Sequence, residues 1–169
     1  MAHPVVEQLL FTRSEWRRGL AGLTEEEGSR HFGQMNCISW TVGHLAWQEQ
    51  RYLLTRNQGI VLVPELQTEF AFGAPMSTPS LATMLKIWRK ITKASEPFLD
   101  SLTTRGLQKD LPMNGKPVGQ SQGSAMLRMI HHYWFHIGEI QAIRQMLGHK
   151  KLPIYVGNQE RKAPYTPER

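Results

Sequence analysis

The sequence predicts an all-α fold, a four-helix bundle formed by a single domain. Four long segments have helical periodicity, no segment has a convincing strand pattern, and no internal repeat is visible. With 169 residues, of which 40% are hydrophobic and 20% charged, the chain can bury one sizeable core. We expect the domain to span residues 1–169, with its core at about 5–150 and an irregular tail at 150–169.

The first half of the chain contains two predicted helices, at about 4–23 and 37–56. Apolar residues recur at helical spacing in the first helix, and a short acidic connector follows it. The second helix follows Asn36, a residue type that commonly caps helices. Its predicted inward stripe includes His44, with Gln48 one turn further on.

Three other residues of the second helix are interpreted as packing residues. Cys37 lies about 10 Å along the helix axis from His44, too far to share one metal ion with it, and is read as a small buried hydrophobe. Trp40 and Trp47 pack in the core, although either could wall a pocket. Cys37 is the only cysteine, so no intramolecular disulfide is possible, and a reducing cytosol is the simplest setting.

The third predicted helix covers about 79–102, with Thr78 as its N-cap and Pro79 at its first position. Pro97 should kink this helix or mark its last regular turns. Long connections rich in glycine and proline, at 58–77 and 105–119, flank the helix and permit crossover wiring.

The fourth predicted helix, about 119–148, places ionisable side chains on an inward face and ends at Gly148, the expected C′ glycine. At about 100° per residue, His132 and His136 lie about 40° apart, and Glu139 lies about 20° to the other side of His132. Two histidines at this spacing can direct two nitrogens at one metal ion, although packed core histidines are the simpler alternative. Glu139 could ligate the ion, orient a ligating histidine or act as a base.

His44 is the best candidate for a third ligand, because it lies in mid-helix on an inward stripe. The remaining histidines are terminal, in loops or off that face: His3, His31, His131 and His149. Three imidazoles suit a Zn²⁺, Ni²⁺, Cu²⁺ or Fe²⁺ ion and leave a position for water or substrate. Gly43 and Gly138 each lie near one of these histidines, and we expect them to permit the close approach of another backbone, including one across a dimer interface.

Two segments of the chain resemble the DinB-like superfamily. They are NCISWTVGHLAW, which contains His44, and HYWFHIGEIQ, which contains His132 and His136; the connection FGAPMSTPS is also similar in character. The resemblance covers roughly residues 5–150. It implies a four-helix bundle with up-up-down-down wiring, often dimeric, in which these three histidines hold one divalent metal ion.

The resemblance also implies a function, because related proteins include thiol-dependent transferases and isomerases that use bacillithiol, mycothiol or glutathione. We therefore expect a Zn, Ni or Fe ion and a metal-dependent transferase or isomerase that acts on a small molecule with a low-molecular-weight thiol. A non-catalytic metal-binding or stress-related bundle and a metal-dependent hydrolase are the alternatives. Relatives carry Gln or Glu at the position of Glu139, so its role as a base stays open.

Charge and hydropathy limit the other partners. The formal net charge is +6, but the basic residues are scattered and no groove-reading motif accompanies them, so nucleic acid is not an expected partner. No apolar run approaches the roughly 20 residues that span a bilayer, and no signal peptide is visible. We expect a cytoplasmic homodimer that does not associate with membranes.

Overall fold

The computed structural model describes residues 2–156 and 159–167, and its regular elements are helices. Within these ranges no strand is formed, and two isolated antiparallel bridges join Asp110 to Ser121 and Met113 to Lys116. The all-α prediction is confirmed, and four of the helices, α1, α3, α6 and α8, are long; their arrangement as a bundle stays a prediction. In chain order, the elements are α1 Pro4–Leu20, α2 Glu25–Ser29, α3 Ile38–Glu49 with a π-helical turn Gln50–Thr55, α4 Arg56–Gln58, α5 Leu66–Glu69, α6 Leu81–Asp100, α7 Thr104–Leu107, α8 Gln122–Met146 and α9 Gln159–Lys162.

The chain packs as two compact units, one formed by Met1–Ala21 with Pro97–Arg169 and the other by Gly22–Glu96. In the first unit, α1 packs against α8, where the fully buried rings of Trp16 and Tyr133 meet edge-on with centroids 5.7 Å apart. In the second unit, α3 packs against α2 and α5. Pro97, inside α6, is the residue at which the chain passes from one unit to the other.

Local sequence signals set both ends of α8. Ser121 caps its first turn by accepting a hydrogen bond from the Ser124 N–H at 3.1 Å. At the other end Gly148 has φ of +87°, a conformation that glycine adopts without a Cβ penalty. The N–H of His149 donates to the Arg144 carbonyl and that of Gly148 to the Gln145 carbonyl, which together form a Schellman motif. The predicted C′ glycine is therefore confirmed.

The start of α6 depends on a residue from another helix. The N–H groups of Leu81 and Ala82 donate to the carboxylate of Glu25 at 2.8 and 2.7 Å, and Ser80 supplies a further side-chain acceptor. The predicted cap, Thr78, is wrong, because the helix begins two residues beyond Pro79 and not at it. Glu25 satisfies two of the amide groups that every helix N-terminus leaves without an intrahelical partner.

Helix α3 is buried on all sides, not along a single stripe as predicted, since every residue of Ile38–Glu49 is buried. Its N-cap residue is Cys37, not the predicted Asn36. The thiol of Cys37 is fully buried and donates to the carbonyl of Ser77 at 3.3 Å, so its interpretation as a small buried residue is confirmed.

The C-terminal tail is more ordered than the sequence predicts. Helix α9 interrupts it, and the side chain of Gln8 donates to the carbonyl of Ala163 at 2.9 Å. Arg18 of α1 donates to the Ile154 carbonyl and lies over the ring of Tyr155. The predicted irregular tail also includes residues 157, 158, 168 and 169, which lie outside the described residues.

Among the residues that are described, no helix has the length and apolar character needed to cross a membrane.

Candidate metal centre

His44 is buried in α3, and its orientation is set by a main-chain oxygen. The Nδ1 atom lies 2.7 Å from the carbonyl oxygen of Phe70, and the residue is 6% exposed. A carbonyl oxygen can only accept, so Nδ1 carries the hydrogen and, in the neutral ring, the lone pair is on Nε2. The neutral form with its lone pair on one known nitrogen is the form of histidine that binds a metal ion.

Two tryptophans stack with the ring of His44. The ring centroids of Trp40 and His44 are 5.1 Å apart with an interplanar angle of 12°, and those of Trp47 and His44 are 5.3 Å apart at 29°. Each indole is anchored in turn, Trp40 by the Pro75 carbonyl at 3.1 Å and Trp47 by the Gln67 side chain at 2.9 Å. The structure therefore supports packing as the role of these tryptophans. Both indole rings pack on the imidazole of His44, the candidate ligand.

Helix α8 supplies the other two histidines and the carboxylate. The Nδ1 atom of His136 lies 2.6 Å from Oε2 of Glu139, and its Nε2 atom lies 3.0 Å from Nε2 of His132. His136 is buried, but the Glu139 side chain is 36% exposed. The prediction that Glu139 lies on an inward face is therefore only partly correct, because this carboxylate lies at the edge of the buried surface.

One ring nitrogen of each of His44, His132 and His136 lies within 4.8 Å of the other two. The three residues could therefore hold a metal ion, and they are the only such group of His, Cys, Asp or Glu found among the described residues. The donor set fits a borderline divalent ion, since imidazole suits Zn²⁺, Ni²⁺ and Fe²⁺. A ring whose second nitrogen donates to a carboxylate or carbonyl, as in His136 and His44, is the usual form of a metal-ligating histidine.

The other histidines have separate roles. His3 caps α1, where its Nδ1 accepts from the Val5 N–H at 3.2 Å. The Nδ1 of His31 donates to the Met35 carbonyl at 3.0 Å, and His149 accepts a hydrogen bond from Arg144 at 3.0 Å. His131 is exposed. In the part of the chain that is described, these four do not belong to the histidine cluster.

An open cavity of about 590 Å³ lies beside His132 of α8. It is lined by Ser124, Leu127, Arg128, His131 and His132. A second cavity, of about 540 Å³, lies at the start of α1 and α7, and its lining includes His3 and Arg105 but none of the candidate ligands. Of these two cavities, the first is therefore the one whose lining includes a candidate ligand, His132.

The comparison with protein families matches the DinB superfamily to residues 5–140, most of the chain. The chain belongs to the DinB superfamily. The predicted resemblance is confirmed, and the matched range contains all three histidines of the cluster and Glu139. No match was found among curated proteins.

Two features of this candidate site are not indicated by the sequence. The Phe70 carbonyl that bonds to His44 is a main-chain group, so no residue-type pattern could indicate it. The explanation of Gly43 was also incorrect: a Cβ at this position would meet the ring of Phe70, a side chain and not another backbone. At Gly138, an added Cβ would have no atom of the described ranges within 4 Å beyond the neighbouring backbone of its own helix.

Proposed function

We propose that this DinB superfamily protein is a metal-dependent transferase or isomerase that uses a low-molecular-weight thiol. The observation that supports an enzyme over a purely structural metal site is the open cavity lined by His132, next to the histidine cluster. His44, His132 and His136 are the proposed ligands of one Zn, Ni or Fe ion. A closed structural site would not need a route for a small molecule to one of its ligands.

In the proposed reaction, hydrogen-bond acceptors of the chain fix the tautomers of two histidine rings, His44 and His136. The Phe70 carbonyl keeps the hydrogen of His44 on Nδ1, and the Glu139 carboxylate does the same for His136. Both rings therefore present Nε2 to the ion. A divalent ion held there would supply Lewis acidity, which lowers the pKa of a bound thiol and favours the nucleophilic thiolate.

Arg128 is the proposed recognition group for the thiol cosubstrate. It is the permanently charged residue among those lining the cavity, and it precedes His132 by one helical turn. Low-molecular-weight thiols such as glutathione and bacillithiol carry carboxylates. A guanidinium can bind a carboxylate through two parallel hydrogen bonds, while the sulfur lies towards the histidines.

The first experiment is metal analysis of the untagged protein, purified without chelators. The protein is then loaded with Co²⁺ and titrated with bacillithiol, mycothiol, glutathione and coenzyme A. Because thiolate outcompetes water on a borderline ion, the correct thiol should produce a sulfur-to-metal charge-transfer band. Addition of monochlorobimane then tests transfer, in which a sulfur–carbon bond forms and chloride leaves.

The outcomes separate the proposal from its alternatives. A cobalt spectrum that no thiol perturbs would exclude the transferase and favour a hydrolase, in which the site activates water. Thiol binding without turnover on any electrophile would favour a non-catalytic or stress-related metal-binding protein. Absence of stoichiometric metal would contradict the whole proposal.

The remaining family features are also proposals. We propose that the four long helices form an up-up-down-down bundle, that the protein is a homodimer and that it acts in the cytoplasm. Membership in the DinB superfamily supports the first two, and the lone cysteine supports the third. Sedimentation analysis at micromolar concentration tests the dimer.

A further inference from the structure

The connection that precedes α6 is attached to one side of α3 and its N-cap residue by three side-chain donors. The donors are the Nδ1 of His44, which bonds to the Phe70 carbonyl at 2.7 Å, the indole of Trp40, which bonds to Pro75 at 3.1 Å, and the thiol of Cys37, which bonds to Ser77 at 3.3 Å. Since the donors are three and four residues apart, they lie along one side of the helix. The segment 70–77 therefore runs along α3 in the opposite direction to the helix.

Gly43 makes the close approach of this segment possible. A Cβ on Gly43 would lie 2.6 to 2.9 Å from three carbon atoms of the Phe70 ring, which is closer than nonbonded carbons can pack. Phe70 is 2% exposed, so protein atoms and not solvent surround its ring. The backbone of Gly43 is helical and has no positive φ, so its conformation does not require glycine. The feature that requires glycine is the ring of Phe70.

We propose that the contact between Gly43 and Phe70 sets the metal affinity of the cluster. The Phe70 ring packs against Gly43, and this contact fixes the position of the Phe70 carbonyl. That carbonyl keeps the hydrogen of His44 on Nδ1. A side chain at position 43 displaces the ring and with it the carbonyl oxygen, so His44 loses its fixed tautomer and orientation. Phe70 is thus a positioning residue. The inference rests on the proposed metal site.

Two matched variants test the proposal. Gly43→Ala and Gly138→Ala both replace a mid-helix glycine near a candidate ligand, and both substitutions favour the helix. Only the first introduces a methyl group against a ring, since Gly138 faces open space within the described residues. We expect Gly43→Ala to raise the dissociation constant for the metal by about 10- to 100-fold, the usual effect of losing the hydrogen-bond partner of a ligating histidine. Gly138→Ala should leave this constant unchanged. Competition with a chromophoric chelator measures both.

A compensating substitution distinguishes displacement of the Phe70 ring from a general loss of structure. Phe70→Leu shortens the side chain but retains the carbonyl, so the double variant Gly43→Ala with Phe70→Leu should recover the affinity of Phe70→Leu alone. If Gly43→Ala does not fold, the double variant still carries the test. Wild-type affinity in Gly43→Ala, or no recovery in the double variant, would overturn the proposal.

A measurement without metal distinguishes this inference from the proposed function. In metal-free protein, the ¹⁵N chemical shifts of His44 report which ring nitrogen carries the hydrogen. The Nδ1–H form should be present in the wild type and in Gly138→Ala, and it should be lost in Gly43→Ala. If the wild type binds no metal but these shifts behave as expected, the proposed function fails and the positioning contact stands. An unchanged tautomer in Gly43→Ala contradicts the inference, whatever the metal content.

Discussion

The Oε2 atom of Glu139 lies 2.6 Å from the Nδ1 atom of His136, one turn earlier on the same helix. The carboxylate accepts and the ring nitrogen donates, so the hydrogen of His136 is on Nδ1 and its Nε2 points to Nε2 of His132 at 3.0 Å. Of the three roles considered for Glu139, this geometry favours orientation of a ligating histidine.

The first prediction is that Glu139→Gln weakens metal binding without abolishing it. The amide can still accept from Nδ1 but lacks the negative charge that makes the ring a better ligand, so we expect a loss of about tenfold in affinity. Chelator competition gives the dissociation constant, and the exposed Glu96→Gln on α6 is the control. Loss of stoichiometric metal at saturation would show instead that Glu139 is a direct ligand. Unchanged affinity with lost turnover would show that it is a base.

The second prediction concerns the proposed ligands. His44→Ala and His136→Ala should each abolish stoichiometric metal, because two imidazoles hold a divalent ion much more weakly than three. The controls are His131→Ala, which removes an exposed histidine on the same helix, and His149→Ala, which removes one bonded to Arg144. Elemental analysis of the purified variants decides the matter. Equal metal content in all four would contradict the assignment.

The third prediction is that the fold persists without the ion. A chain of this length buries enough apolar surface to fold without a metal staple, and the cores of both units contain fully buried residues such as Trp16 and Leu45. Chelation should lower the melting temperature, since the ion binds the native state only, and should leave helical circular dichroism largely intact. Complete loss of helical signal on chelation would show that the metal is required for folding.

What the sequence could predict depended on whether the signal was local. The i, i+4 spacing of His132 and His136 and the C′ position of Gly148 are properties of one helix, and both are present as predicted. The cap of α6 could not be predicted, because Glu25 lies on another helix and acts through its carboxylate on amides remote in sequence. The orientation of His44 depends on a carbonyl, a group that every residue has.

The fourth prediction is that Glu25 makes stability depend on pH. Hydrogen bonds from the amides of Ala82 and Leu81, and a weaker one from Ser80, lower the pKa of Glu25 below its usual value, and the small cost of desolvation does not reverse this. A carboxylate whose pKa is lowered in the native state stabilises the fold at pH values above its unfolded-state pKa, about 4.3. This stabilisation is lost as the pH falls through the native-state pKa. Glu25→Gln should therefore melt below the wild type at pH 7.

The same two proteins should converge in acid, because protonation removes from the wild type the charge that the variant already lacks. Melting temperatures from pH 7 to pH 3 measure the difference, and Glu26→Gln, the exposed neighbouring carboxylate, is the control. A gap between wild type and Glu25→Gln that stays constant over this range would contradict the assigned role of the charge.

The fifth prediction concerns Arg128, the exposed cation in the cavity beside His132. If it binds the carboxylates of the thiol, Arg128→Gln should weaken glutathione or bacillithiol binding to the Co²⁺ protein by about two- to fivefold, the effect of one exposed charge pair. Binding of an uncharged thiol such as 2-mercaptoethanol should not change, because only the sulfur interacts with the site. Raising the salt concentration should reduce the difference between wild type and variant.

The control is Arg89→Gln, which removes an exposed arginine from α6. Equal weakening of both thiols would mean that Arg128 supports the metal site instead of recognising the cosubstrate, since a damaged site would bind every thiol less well.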